Sequence, residues 1–124
     1  MGREVLLTLE TELEEGGPLD KATHAALRLP KSIDTDGGGV FDVPATVASG
    51  WFVASYKGHK VIFHNGMMES HGALVVFFPG AKYGVIAMGN SAIEATVVAE
   101  ILVWGLVDNK LGVPEERRHP WEVK

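Results

Sequence analysis

Between Trp51 and Gly89 the chain carries four short runs, WFVASY, KVIFH, ALVVFF and YGVIAM, all rich in β-branched and aromatic residues. Lys57-Gly58, the Asn65–Gly72 region and Pro79-Gly80-Ala81-Lys82 separate them, and each is a turn signal. Connections this short leave room only for antiparallel neighbours. The last two runs are almost uninterrupted in apolar residues, so those strands are expected to be covered on both faces.

Helical patterns flank the strands. In REVLLTLETELEE, Val5, Leu6, Leu9 and Leu13 recur at helical spacing among acidic residues, and Gly16-Gly17-Pro18 ends the pattern. A short second helix is expected from an Asp20 cap to Leu27, before Pro30. SIDTDGGGVFDVPATVASG reads as a long irregular loop. After the strands, SAIEATVVAEILVWGLVDNKLG reads as a helix capped by Ser91, with Ile93, Val97, Ile101 and Trp104 on one stripe and Gly112 and Pro114 as terminators. The expected fold class is α+β: an antiparallel meander of about four strands with two N-terminal helices and a C-terminal helix packed on it. A single domain, 1–124, is laid out as helices (1–30), loop (31–50), strands (51–90), helix (91–112) and tail (113–124).

A chain of 124 residues can bury a real core, and 46% hydrophobic with 22% charged residues is ordinary for a globular protein. With a net charge of −5 and no basic tract, neither nucleic acid nor an anionic membrane is an expected partner. The absence of cysteine rules out disulfides and thiolate chemistry. The N-terminus lacks the unbroken apolar core of a signal peptide. Val97–Val107 contains Glu100 and falls short of the roughly 20 residues a spanning helix needs. These features set the expectation of a soluble, cytoplasmic chain.

The titratable residues concentrate in VIFHNGMMESHG, residues 61–72. Asn65-Gly66 between apolar runs is a hairpin signal, since both residues tolerate positive φ. His59, His64, His71 and Glu69 suit zinc chemically, but His59 and His64 are an odd number apart on one strand and point to opposite faces, so no metal site is expected. Of Ser32, Ser49, Ser55, Ser70 and Ser91, none sits in Gly-x-Ser-x-Gly. Ser70 precedes His71, but neighbours on a strand or turn seldom face each other. Glu10, Glu12, Glu14 and Glu15 read as a solvated helix face, and Gly37–Gly39 as a flexible loop rather than a phosphate cradle. Met67-Met68 could line a pocket or fill a core; Trp51 and Trp104 read as core and Trp121 as a tail anchor.

The ordered string SGWFVASYKGHKVIFHNGMMESHGALVVFFPGAKYGVIAMGN resembles the serine β-lactamase-like and penicillin-binding-protein-like hydrolases, in the class C β-lactamase and esterase branch. Gly50-Trp51, His64-Asn65-Gly66, Phe78-Pro79 and Gly89-Asn90 follow in the family's order. The tail LVDNKLGVPEERRHPW resembles the end of the catalytic domain in eukaryotic, especially fungal, members, and PLDKATHAALRLPKSI is similar, more loosely, to the preceding helix and proline segment. The resemblance implies that His64 stands at the basic position of the Lys/His-x-Gly motif, meeting a substrate carboxylate or carbonyl. It implies a polar contact from Asn65 and close acyl approach over Gly66. The backbone N–H of Met67 would be an oxyanion donor, a kind of group worth roughly 3 kcal/mol to the transition state. On this reading Asn65-Gly66 bends an active-site strand. No cofactor is implied.

The family's Ser-x-x-Lys and Tyr-x-Asn motifs do not occur: Tyr56 is followed by Lys57-Gly58 and Tyr83 by Gly84-Val85. Glu69-Ser70-His71-Gly72 also departs from the Gly-Phe or Gly-Tyr usual in the following loop. The resemblance therefore covers only the C-terminal part of such an enzyme, with half a site. Two expectations follow. Either the chain is the C-terminal segment of a serine acyl hydrolase or acyltransferase acting on a small ester or amide, or it is a stand-alone binding or oligomerising remnant that catalyses nothing. In both, an unpaired sheet edge favours association with itself or with a complementing chain.

Overall fold

The computed structural model describes residues 18–34 and 40–120. The expected helix in REVLLTLETELEE, the Gly37–Gly39 loop and Trp121 lie outside the described residues. Among the described residues, two α-helices and six strands follow in the order α1 (Lys21–Leu27), β1 (Ser32–Ile33), β2 (Thr46–Val47), β3 (Phe52–Tyr56), β4 (His59–Met68), β5 (His71–Phe78), β6 (Tyr83–Gly89) and α2 (Ala92–Leu111). The strands form one antiparallel sheet in sequence order.

Among the described residues the sheet has six strands, not about four. β1 and β2 come from the stretch expected to be irregular, and two residues each are too few to show a period. They exist because the ladder supplies partners: Ser32 faces Val47, and Thr46 faces Val53. Lys31 N–H and Asp34 N–H add bonds to Val47 and Ala45 carbonyls at 2.8 Å each. The Thr46 hydroxyl donates to Val53 O at 3.1 Å.

Asn65-Gly66 corrects a second expectation. No turn or bend falls there; β4 runs through to Met68, and the reversal is at Glu69-Ser70, where Glu69 takes φ 44°. A favourable turn pair counts for less than four further residues of strand, in which alternate residues face β5 with ladder hydrogen bonds worth about 0.5–1.5 kcal/mol net each. At Lys57-Gly58 the expected turn is present, with φ of 49° and 81° at the two positions. Two positive φ values in a two-residue loop match the right-handed twist of the strands they join.

The chain divides into two compact units, Met1–His64 with Phe77–Gly84, and Asn65–Val76 with Val85–Lys124. In the first, Ala54, Tyr56, Val61, Ile62, Phe77 and Phe78 form the core. Trp51 meets Phe77 edge-on at 5.4 Å. Arg28, buried at the end of α1, lies over the same ring at 5.4 Å from its centroid. Burial without matching hydration pushes the Arg28 guanidinium pKa below its ordinary value. α1 begins as expected: the Asp20 carboxylate accepts from Thr23 N–H at 2.7 Å.

In the second unit the buried apolar residues are Leu74, Val75 and Val76 of β5 and Ala99, Val103, Trp104 and Val107 of α2. The buried face of α2 is therefore not the expected one. Trp104 lies on it, but Ile93 is 68% exposed. α2 is apolar on nearly every side, so spacing alone could not choose which stripe would be covered. Gly112, at φ 66°, ends the helix: its N–H bonds Asn109 O, and Val113 N–H reaches Asp108 O at 2.9 Å. The first turns of α2 press on two glycines. A Cβ on Gly72 would sit 2.6 Å from Thr96 Oγ1 and 3.0 Å from Thr96 N, and one on Gly89 would sit 2.5 Å from Ala95 Cβ. Consecutive burial of Leu74–Phe78 covers β5 on both faces, whereas β6 is half-buried along most of its length.

Candidate functional site

The polar residues singled out in the sequence lie on the last half of β4. Its first half holds two fully buried core residues, Val61 and Ile62; from His64 to Met68 every residue is exposed. The cause is the length of the neighbour. β3 pairs with β4 from Tyr56↔His59 to Phe52↔Phe63 and begins there, so residues 64–68 continue past the last β3 rung.

The register also sets the direction of the amides. Tyr56 and His59 close a two-residue hairpin, so they form a hydrogen-bonded pair, as does every second pair beyond it. The N–H groups of His59, Val61 and Phe63 therefore point toward β3. The same alternation carries the N–H groups of Asn65 and Met67 to that edge, beyond Phe63, where no described strand pairs with β4.

The side chains alternate across the strand. His64 and Gly66 share one face; Asn65 and Met67 share the other. A ligand lying along the edge would meet side chains of both. The His64 ring rests on Phe52, centroid to centroid 5.6 Å, at the end of a stack in which Phe52 meets Phe63 at 5.2 Å and Phe63 meets Phe41 at 5.0 Å. Gly66 has ordinary negative φ, and a Cβ there would meet nothing within 4 Å. The fold makes no demand for glycine at this position; its effect is to leave the backbone bare beside His64. Met67 and Met68, 61% and 74% exposed, are not core.

At the turn, Ser70 and His71 do meet: Ser70 Oγ lies 3.3 Å from His71 Nδ1, contrary to the expectation for sequence neighbours. Both are exposed. Among the described residues, no three His, Asp or Glu side chains are close enough together to hold a metal ion.

Asp42, not singled out in the sequence, holds the opposite turn. Its carboxylate accepts from the Ser55 hydroxyl at 2.6 Å and from the N–H groups of Gly58 at 2.8 Å and Lys57 at 3.0 Å. These bonds, the Ser55 hydroxyl first, hold its pKa below the ordinary 3.8. The available signal was an Asp in a polar loop, which marks a turn former but not its distant partner. This bond also occupies Ser55. The Ser91 hydroxyl is likewise engaged, donating to the Glu94 carboxylate.

Two curated proteins similar to this chain are both hydrolases from Aspergillus species. The unguisins hydrolase ungD of Aspergillus violaceofuscus (strain CBS 115571) is 36% identical over 84 residues, which is 68% of this chain and 15% of that protein. The unguisins hydrolase ungD' of Aspergillus campestris (strain IBT 28561) is 26% identical over 81 residues, 65% of this chain and again 15% of the relative. The chain thus spans a small segment of the hydrolases it matches. No family model and no solved structure matches it. Among the described residues no helix is long and apolar enough to cross a membrane.

Proposed function

We propose that the chain is the oxyanion-wall segment of a β-lactamase-like serine acyl hydrolase or acyltransferase, the C-terminal part of that fold. The observation that carries the reading is the overhang of β4. It presents His64, Asn65, a bare Gly66 and the Met67 amide together, with that amide directed to an edge no described strand occupies. In this role Met67 N–H donates to the oxyanion that forms when an ester or amide carbonyl is attacked. His64 donates to a substrate carboxylate or carbonyl, Asn65 gives a polar contact, and the acyl group passes over Gly66. The similarity to two hydrolases supports this class, and their names make unguisins the first amide substrates to try.

The nucleophile comes from elsewhere, because no serine here has lysine three residues later. The partners are a small acyl substrate and a complementing chain that carries Ser-x-x-Lys, in the cytoplasm. A second reading, a binding remnant without catalysis, is favoured by that same missing motif. Chromogenic acyl ester turnover separates them. The purified chain alone is expected to be inactive, and to gain activity that His64→Ala reduces when a nucleophile-bearing portion of a related hydrolase is added. Serine-dependent hydrolysis by the chain alone would contradict the half-site reading; persistent inactivity with substrate still bound would favour the remnant.

A further inference from the structure

An imidazole on an exposed strand end ordinarily samples three χ1 wells and a broad, roughly twofold χ2, about six orientations in all. The His64 ring meets one restraint on that freedom. Among the described residues no hydrogen bond or ion pair holds its side chain, and its ring contact is Phe52, at 5.6 Å between centroids and 52° between planes. Tilted packing at such a separation is a favoured arrangement, because the electron-poor edge of one ring is drawn to the face of the other. The contact depends on where β3 begins. Phe52 is the first residue of β3 and pairs with Phe63, the residue before His64. Trp51, next along the register, lies outside β3 with its indole edge-on to Phe77. The Phe52 ring thus stands at the end of the ladder, where it meets both Phe63 and His64.

Phe52 is itself held from behind. Its ring lies nearly parallel to that of Phe63, with 19° between planes, and Phe63 stacks on Phe41 with 28° between planes. All three phenylalanines are half-buried, whereas His64 is exposed. The residue after Phe41 ties that end down. Asp42 N–H donates to Ser55 O at 2.8 Å, and the Asp42 carboxylate accepts from the Ser55 hydroxyl and from the N–H groups of Lys57 and Gly58. The row of rings is anchored at Phe41, and its far end carries the imidazole.

We propose that Phe52 is a positioning residue for His64: the phenyl ring selects one orientation of the imidazole, and Phe63 and Phe41 keep the phenyl ring in place. An aliphatic side chain would fill the same space without the directional preference of a ring face. The use of that orientation, to aim the imidazole at a substrate carboxylate or carbonyl, rests on the acyl-transfer reading. The ordering of the ring does not.

Phe52→Leu and Phe52→Tyr test the ordering in the chain alone. Three-bond Hα–Hβ couplings of His64, read by NMR, are expected to show one χ1 rotamer in the unmodified chain and in Phe52→Tyr, and rotamer averaging in Phe52→Leu. The His64 ring protons should move to free-imidazole positions in Phe52→Leu, as the ring current of Phe52 is lost. Averaged couplings in the unmodified chain, or couplings that Phe52→Leu leaves unchanged, would overturn the inference. With a nucleophile-bearing portion of a related hydrolase added, Phe52→Leu should lower kcat/KM roughly three- to sixfold, the share of orientations lost, and Phe52→Tyr should restore it. On a His64→Ala background Phe52→Leu should cost nothing further; an equal loss on both backgrounds would make Phe52 a support of the fold alone and would also overturn the inference. No turnover in any combination, with the couplings as expected, would count against the acyl-transfer reading while still supporting the ordering of His64 by Phe52.

Discussion

β4 is entered through Lys57-Gly58 and left through Glu69-Ser70, and the two ends are held by different means. At the first, a glycine takes the left-handed conformation and a carboxylate from a distant loop accepts three hydrogen bonds. Val61 and Ile62 lie fully buried just inside it. At the second, a glutamate bears the positive φ, and the nearest side-chain bond joins two exposed neighbours, Ser70 and His71. One strand thus has a structural end and a presenting end. The difference arises from where its neighbour begins, at Phe52, rather than from its own composition.

Substitutions along β4 can break that contrast. Ile62→Ala is expected to cost about 3 kcal/mol in urea denaturation, by opening a cavity in the core. His64→Ala, two residues on, should change stability by under about 0.5 kcal/mol while reducing acyl turnover in the complemented protein. Comparable losses of stability at both positions would mean that the far end is also structural.

Asp42→Ala comes next, at about 1–2 kcal/mol, since three donors lose one acceptor in a solvated setting. Its pH dependence has a definite sign. The folded carboxylate titrates below its ordinary 3.8, so its contribution is complete above that value and fades as pH falls through the lower folded one. The stability difference between parent and Asp42→Asn should therefore shrink below about pH 4, as followed by thermal melts.

Two glycines sharpen the comparison further. Gly58→Ala, at φ 81°, should cost about 1 kcal/mol, whereas Gly66→Ala should be near neutral for folding and detectable only in substrate affinity. The smallest effect expected is at Glu100, on α2, where burial raises the carboxylate pKa above its ordinary 4.5. The folded state holds that proton more tightly, so the charged form is a penalty at neutral pH and vanishes in acid. Glu100→Gln should raise the melting temperature at pH 7 by roughly 2 °C, with the gain gone below about pH 4.

What could be read from the sequence follows a physical division. β3 to β6, the Asp20 cap and the Gly112 stop were legible because each depends on a short local run or on one special backbone angle. β1, β2 and the role of Asp42 were not, because they exist only through partners up to 16 residues away. The Glu69-Ser70 turn was misplaced to Asn65-Gly66 because turn preference is local while strand length is set by pairing. The residues His64 to Met67 could be singled out from the motif; that they overhang β3 could not. The covered side of α2 was hidden by its excess of apolar residues, and the same excess leaves Val98, Leu102 and Leu106 in the open.

Gly72 and Gly89 limit how this region can be rebuilt. Each lies where a single added carbon would strike α2, at Thr96 and Ala95 respectively. The hairpin tip bearing His71, the end of β6 and the opening of the helix therefore behave as one transplantable block. A loop exchanged from a relative would have to bring its own residues at 72, 89, 95 and 96 together. A randomised library over those four positions should return small residues in correlated pairs rather than at independent sites.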